Sequence, residues 1–255
     1  MRNKVVNQPK KYFQFGLTKT FPCNYLMTEK ERLIVVTNVE ELNSENYERL
    51  LTAGFRRSGE QVYRPHCSDC KSCESIRLPI DEFTPSKSQK RINSINKDLT
   101  LRVVKSPRPE YFSLYQRYID TVHKDGAMYP ANYEQYESFI FSSRVDQLFI
   151  ELYLEDELVS VAVCDNLPFA LSALYTFFDP TLSKRSLGKF SILKQIELSK
   201  KMHKKFLYLG YQIDECAKMN YKNQYFPHER LKDDQWQRTE NKQALVQNTQ
   251  KHPNK

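Results

Sequence analysis

Three cysteines fall within eight residues of this chain, in His66-Cys67-Ser68-Asp69-Cys70-Lys71-Ser72-Cys73, and a fourth, Cys23, stands upstream in Phe21-Pro22-Cys23-Asn24-Tyr25. C-x2-C-x2-C spacing brings thiolates together on a tight turn, an arrangement suited to zinc or an iron–sulfur cluster. Cys67, Cys70 and Cys73 supply three ligands, and Cys23 or His66 completes the fourth position. No apolar signal core opens the chain and no apolar run reaches membrane-spanning length. The expectation is therefore a cytoplasmic protein with no membrane partner, whose thiols stay reduced rather than pairing as disulfides. Cys164, inside the apolar run Leu158–Cys164, reads as a small core residue.

A second group of residues carries charge. The formal net charge is +8, with 16 Tyr and 15 Phe, which suits a polyanionic, stacking partner such as nucleic acid. Lys87, Lys90 and Arg91 lie together on a segment that Ser86 or Ser88 can cap as a short helix. They read either as a phosphate-contact strip or as an ordinary solvated face.

The elements that must position these groups follow from periodicity. Residues 31–36 read as a strand, and Tyr47, Leu50 and Leu51 as a helical stripe ended by Gly54. Residues 55–64 read as a hairpin turning at Ser58-Gly59, and residues 75–78 as a strand. Asn38 with Glu41, and Ser44, offer helix caps. Residues 1–84 are then a small cysteine-bearing α/β domain. Residues 85–236 form a second domain with a basic entry segment: helices over 109–122 and 133–141, strands over 147–154, 158–165 and 169–178, a long helix over 187–203 and a strand over 206–212. Residues 237–255 read as a polar tail. Helices followed by β-β-β-α-β define an α+β class with an acetyltransferase-like mixed sheet, whose parallel strand pair splays around a cleft. Acetyl-CoA enzymes of that fold wrap pyrophosphate with R/Q-x-x-G-x-G/A at the head of the long helix. Here the stretch is Arg185-Ser186-Leu187-Gly188-Lys189-Phe190, and Phe190 obstructs the last position. An anion can still meet Arg185 and Gly188, but acetyl-CoA fits poorly.

Several stretches carry a resemblance. Gly54–Gly59, Val62–Cys67, Ser75–Arg77, Ser86–Arg91, Tyr175–Pro180, Ser186–Gly188, Tyr208–Tyr211 and Cys216–Lys222 resemble, in order, the motifs of the arginyl-tRNA–protein transferase family. The three-cysteine knuckle resembles that of its bacterial, leucine-transferring branch. The resemblance implies an enzyme, an aminoacyltransferase that moves leucine from leucyl-tRNA to the N-terminal amine of proteins beginning with Asp or Glu, marking them for degradation. The alternative is a metal-stapled RNA-binding module without catalysis.

Aminolysis of an aminoacyl ester needs positioning, proton transfer and oxyanion stabilisation, and no cofactor for the reaction itself. Tyr175, Asp179, Tyr208 and Tyr211, on the strands expected to line the cleft, are the catalytic candidates. Arg56, Arg57, Arg64 and Arg77 are candidates for the cation that reads an acidic acceptor. Lys87, Lys90, Arg91, Arg185, Gly188, Lys218 and Lys222 are candidates for tRNA binding.

Overall fold

The apolar strand runs between residues 147 and 212, buried along nearly their whole length, set the frame of the molecule. The computed structural model describes residues 12–244, so the first eleven residues and the end of the expected polar tail lie outside the described residues. Short strands open the chain: β1 (Phe15–Leu17), β2 (Phe21–Pro22), β3 (Lys30–Glu31) and β4 (Leu33–Val36). Helix α1 (Ser44–Thr52) and a hairpin, β5 (Arg56–Ser58) and β6 (Gln61–Pro65), follow, then β7 (Glu74–Pro79), α2 (Lys87–Ile95) and β8 (Leu99–Val104). Next come α3 (Tyr111–Val122), α4 (Tyr133–Ile140), β9 (Gln147–Leu154), β10 (Glu157–Asn166) and β11 (Ala170–Phe178). Helix α5 (Leu187–Lys201), β12 (Phe206–Gln212), β13 (His228–Lys232) and β14 (Gln235–Thr239) complete the order.

Two main sheets result. β1-β4-β6-β5 form a small one, and β14-β13-β7-β12-β11-β10-β9-β8 a large mixed one. Three antiparallel strands, the α5 crossover and a parallel β12 give the expected acetyltransferase-like α+β arrangement. β11 and β12 pair in parallel only at Ala170–Ser172 against Phe206–Tyr208; beyond that register their ladder ends and the strands part. β7 leaves the small sheet's stretch of chain and pairs with both β12 and β13, so the large sheet recruits a strand from before residue 84. Likewise β14 runs past residue 237, where a tail was expected.

Burial explains the layers. Ile192, Leu193 and Ile196 of α5 pack on Ile76, Leu171 and Leu207 of one sheet face. On the other face Tyr111, Leu114, Tyr115, Tyr118 and Ile119 of α3 and Ile140 of α4 pack on Phe149, Val161 and Phe177. Each large side chain so buried contributes about 1.5–3 kcal/mol. The small sheet and α1 join the large sheet through Val62 of β6 and Tyr47 and Leu51 of α1 against Ala170 and Tyr208. Gly59, at φ +56°, is required where the β5–β6 turn meets α4: a Cβ there would lie 1.9 Å from the Ser138 carbonyl oxygen.

Local signals hold with two shifts. Asn43, not Ser44, caps α1, its Oδ1 accepting from the Asn46 N–H at 2.9 Å. Asn38 and Glu41 frame only a three-residue 3-10 turn with no side-chain cap. Ser86 caps α2 in a reciprocal box with Gln89. Among the described residues no helix is long and apolar enough to cross a membrane.

Candidate functional site

Where β11 and β12 part, an arginine from the small sheet enters. Arg56 donates from Nη1 to Ser172 Oγ at 2.9 Å and from Nη2 to the Ala173 carbonyl at 2.5 Å. It thereby occupies the last point of β11 before the strands separate. Gly210 faces it across the gap at φ +86°, beside a bulge in β12; only glycine accepts that backbone at no cost. Of the four arginine candidates this one enters the gap between the strands, with one N–H of each Nη already engaged.

The other three are committed elsewhere. Arg57 forms an ion pair with Asp165 in which both side chains are fully buried, its Nε donating to Oδ1 at 2.9 Å. That pair pins β5 to β10. Arg64 bonds the Ala53 carbonyl and Asp234. Arg77 donates to Glu229 Oε2 at 2.7 Å and to the Tyr208 hydroxyl at 3.1 Å, with its guanidinium 3.9 Å from the Phe206 ring centre and 4.0 Å from that of Trp236.

The tyrosine candidates divide. Tyr211 is buried, and its hydroxyl donates to the Gly54 carbonyl at 2.9 Å. Tyr208 shares a 3.3 Å hydrogen bond with Thr52 Oγ1. Both grip the end of α1 and its following turn, so the structure places them at the junction of the two sheets rather than on the open cleft. Tyr175 differs. Its hydroxyl is buried without a protein partner, among the rings of Phe139 at 5.2 Å, Tyr115 at 6.2 Å and Tyr118 at 6.4 Å. Burial, then the neighbouring phenols of Tyr118, Tyr115 and Tyr221, push its pKa well up. It remains a neutral hydroxyl with a proton to donate. Four residues on, Asp179 closes β11. Its Oδ1 accepts from Thr181 N–H at 2.8 Å and Thr181 Oγ1 at 2.6 Å, and its Oδ2 lies 4.0 Å from Arg117 Nη2.

The basic candidates separate by exposure. Lys87, Lys90 and Arg91 are exposed on α2. Lys218 is exposed and pairs with Asp125 at 2.7 Å. Arg185 is held by both Asp98 oxygens at 2.8 Å, and a Cβ on Gly188 would touch the Phe178 ring at 3.2 Å. Lys222 corrects the expectation of a surface phosphate contact. It is buried, with Nζ donating to the Tyr211 carbonyl at 2.8 Å and the Met219 carbonyl at 3.2 Å. Burial, with Arg56 adding, pushes its pKa down to about 7. It ties the Cys216–Tyr221 loop to the end of β12.

The four cysteines share one neighbourhood. Burial pushes the Cys73 thiol up to about 12, and Cys23, Cys70, Cys67 and Glu31 add to the effect. Cys23 Sγ accepts backbone N–H groups of Tyr25 at 3.4 Å and Leu26 at 3.5 Å. Such bonds suit a thiolate ligand, so the donor set fits a thiophilic metal. Among the described residues, however, no three Cys, His, Asp or Glu groups converge in a metal-holding cluster. The convergence expected of Cys23, Cys67, Cys70 and Cys73 is thus proximity without a formed ligand cage.

Sequence reasoning missed one feature. An open cavity of about 430 Å³ lies between α3 and the end of β11, lined by Gln116, Arg117, Asp120, Thr121, Asp179, Pro180 and Thr181. The four α3 residues fall at i, i+1, i+4 and i+5, opposite the buried tyrosine stripe. That outward polar pattern was the available signal, and it is indistinguishable from an ordinary solvated face.

Comparison with known proteins fits this geometry. The family described as "Arginine-tRNA-protein transferase" matches at its C terminus over residues 110–232 and at its N terminus over residues 21–91. The aspartate/glutamate leucyltransferase of Pseudoalteromonas atlantica is 52% identical over 224 residues, covering 88% of this chain and 96% of that protein. Those of Aeromonas hydrophila (48% identical, 89% and 95% covered) and Shewanella oneidensis (46% identical, 93% and 98% covered) are similarly close. Among solved structures, FemX aligns at 8% identity over 69% of this chain and 62% of its own, with a TM-score of 0.43. The chain belongs to the arginine-tRNA–protein transferase family and is a transferase.

Proposed function

We propose that this protein is an aminoacyltransferase that moves leucine from leucyl-tRNA to the N-terminal amine of proteins beginning with Asp or Glu, producing a degradation signal. The observation that carries the reading is the near full-length identity to aspartate/glutamate leucyltransferases. Beside it stand Arg56 at the β11–β12 splay, a neutral Tyr175 hydroxyl further along β11 and Asp179 just past its end. The acceptor amine attacks the leucyl ester carbonyl, the carbon–oxygen bond to the ribose breaks, and an amide forms. The proton shed by the amine is the one the departing ribose oxygen takes up. From the neutral amine the exchange balances without ATP; an acceptor that arrives as an ammonium first gives its extra proton to water, and the protein's task is chiefly orientation and oxyanion stabilisation. We assign Tyr175, a neutral hydroxyl with no protein partner, the donation to the developing oxyanion. Exposed Lys87, Lys90 and Arg91 provide sequence-independent anchors for the tRNA backbone.

The test is transfer of labelled leucine from leucyl-tRNA to peptides differing only at residue one. Label should reach Asp- and Glu-led peptides and not Lys- or Ala-led ones. KM for leucyl-tRNA should rise with salt, and a Lys90→Ala variant should show a slope about one unit shallower. Leucine reaching all peptides equally would refute the specificity, and an unchanged slope would return α2 to solvent.

Cys23, Cys67, Cys70 and Cys73 would hold a structural zinc ion or iron–sulfur cluster, which neutralises thiolate charge and staples the N-terminal segment. Purified under reducing, anaerobic conditions, the protein should carry stoichiometric zinc or iron. Cys70→Ala should lose it and melt at lower temperature. Unchanged metal content and melting would remove the metal from the account.

A further inference from the structure

An acidic acceptor requires a fixed cation, and the arginines that motif position suggests for that role are engaged: Arg57 by Asp165, Arg64 by Asp234, Arg77 by Glu229 and Arg56 by β11. Arg117 stands apart. Its side chain is 50% exposed, and it meets Asp179 at 4.0 Å, too long for a hydrogen bond. It projects into the cavity between α3 and the carboxyl end of β11. That is the end of the strand beside the only parallel pairing in the large sheet among the described residues, the place where open mixed sheets bind ligands.

The cavity's charges have a pattern. Arg117 supplies one positive group. Asp179, 14% exposed, keeps Oδ2 turned toward Arg117 while Thr181 holds Oδ1. Asp120 accepts the Ala131 N–H at Oδ1, 3.1 Å away, which leaves its other oxygen. Gln116 and Thr121 add neutral donors and acceptors on the same wall. Two carboxylates beside one guanidinium disfavour a phosphate, because the net charge of the site is negative. They suit a ligand carrying an ammonium and a carboxylate a few bonds apart. The N-terminal residue of an Asp- or Glu-led chain is that ligand. About 430 Å³ lies within the roughly 300–1,000 Å³ range of small-ligand pockets and admits an N-terminal residue with its following peptide.

We infer that the cavity between α3 and the end of β11 seats the acceptor's N-terminal residue, with Arg117 as the specificity-determining cation for its acidic side chain and Asp179 and Asp120 receiving its α-ammonium. This rests on the transferase reading above. It puts the acceptor just beyond the end of β11, on the α3 side of the sheet, while the basic strip of α2 remains for the tRNA. Arg117 is rigidly based because Leu114, Tyr115, Tyr118 and Ile119 lock the buried face of its helix, so substituting it leaves the fold intact.

The experiment measures kcat/KM of the full chain with leucyl-tRNA against a peptide led by Asp and its neutral isostere led by Asn. Wild type should favour Asp at least about tenfold, the scale of one charge-assisted hydrogen bond. Arg117→Ala should erase most of that preference while KM for leucyl-tRNA stays the same, and Arg117→Lys should restore part of it. Arg117→Ala retaining the full Asp-over-Asn preference would overturn the inference. So would equal loss on both peptides, because that marks a role in chemistry or folding rather than in reading charge. If wild type transfers leucine to neither peptide, the transferase reading itself has failed, an outcome separate from either of these.

Discussion

The junction between the small and large sheets and the mouth of the cleft by α3 are built from the same residue types and behave oppositely. At the junction, Arg57 and Asp165 meet in a fully buried ion pair, and Tyr211 and Tyr208 reach Gly54 and Thr52. At the cleft mouth, Arg117 and Asp179 face each other at 4.0 Å without bonding, and the Tyr175 hydroxyl has no protein partner. At the junction the charged groups hold one another, whereas at the cleft mouth a guanidinium and a carboxylate stay far enough apart to take a ligand. A buried pair also has little freedom to exchange its partner for a substrate, because the low dielectric that strengthens it penalises every unpaired intermediate.

The sharpest way to break this contrast is at Arg57. Arg57→Ala leaves Asp165 buried with no counter-charge, its Oδ2 already lacking a partner, and should lower unfolding free energy by about 3–5 kcal/mol. Denaturant titration measures it. Replacing both partners, Arg57→Met with Asp165→Leu, should recover most of the loss, because neither charge is then stranded. If Arg57→Ala instead keeps wild-type stability and loses only the preference for acidic acceptors, the junction and the cleft mouth have exchanged roles in this account.

Much of the frame was legible from residues. The near-continuous apolar runs over 147–166 and 170–178 and the 3.6-period stripe of Phe190, Leu193 and Ile196 are strong because both report burial, the strands being covered on both faces. β8 was missed because four of its six residues are exposed, so an edge strand leaves no alternation to read. The place of β7 in the large sheet was equally hidden, since strand pairing across the chain has no local signal. In the site, spacing brought the four cysteines to one neighbourhood but could not separate Arg56 from Arg57, Arg64 and Arg77. It could not tell that Lys222 is inside, because a lysine that caps two carbonyls has the same sequence appearance as one that meets a phosphate. Nor could it find Arg117, whose significance lies in what it lacks.

The smallest expected effect separates the tyrosines. Tyr211→Phe removes a hydroxyl that donates to the Gly54 carbonyl and leaves that acceptor short of a bond in a buried place. The cost should be about 1 kcal/mol of stability, with kcat changed little, since the hydroxyl faces the sheet junction. Tyr175→Phe should do the reverse. Its hydroxyl has no protein partner to lose, so stability should stay within about 0.5 kcal/mol. The ring contacts with Phe139 and Tyr115 are preserved by phenylalanine. Yet kcat should fall tenfold or more, about the loss of one preorganised donor to the oxyanion, while KM for the peptide holds. Melting temperature and single-turnover rate on the same two variants decide it. A Tyr175→Phe enzyme as fast as wild type would make its bare hydroxyl an accident of packing, like the equally unpartnered hydroxyls of Tyr47 and Tyr136.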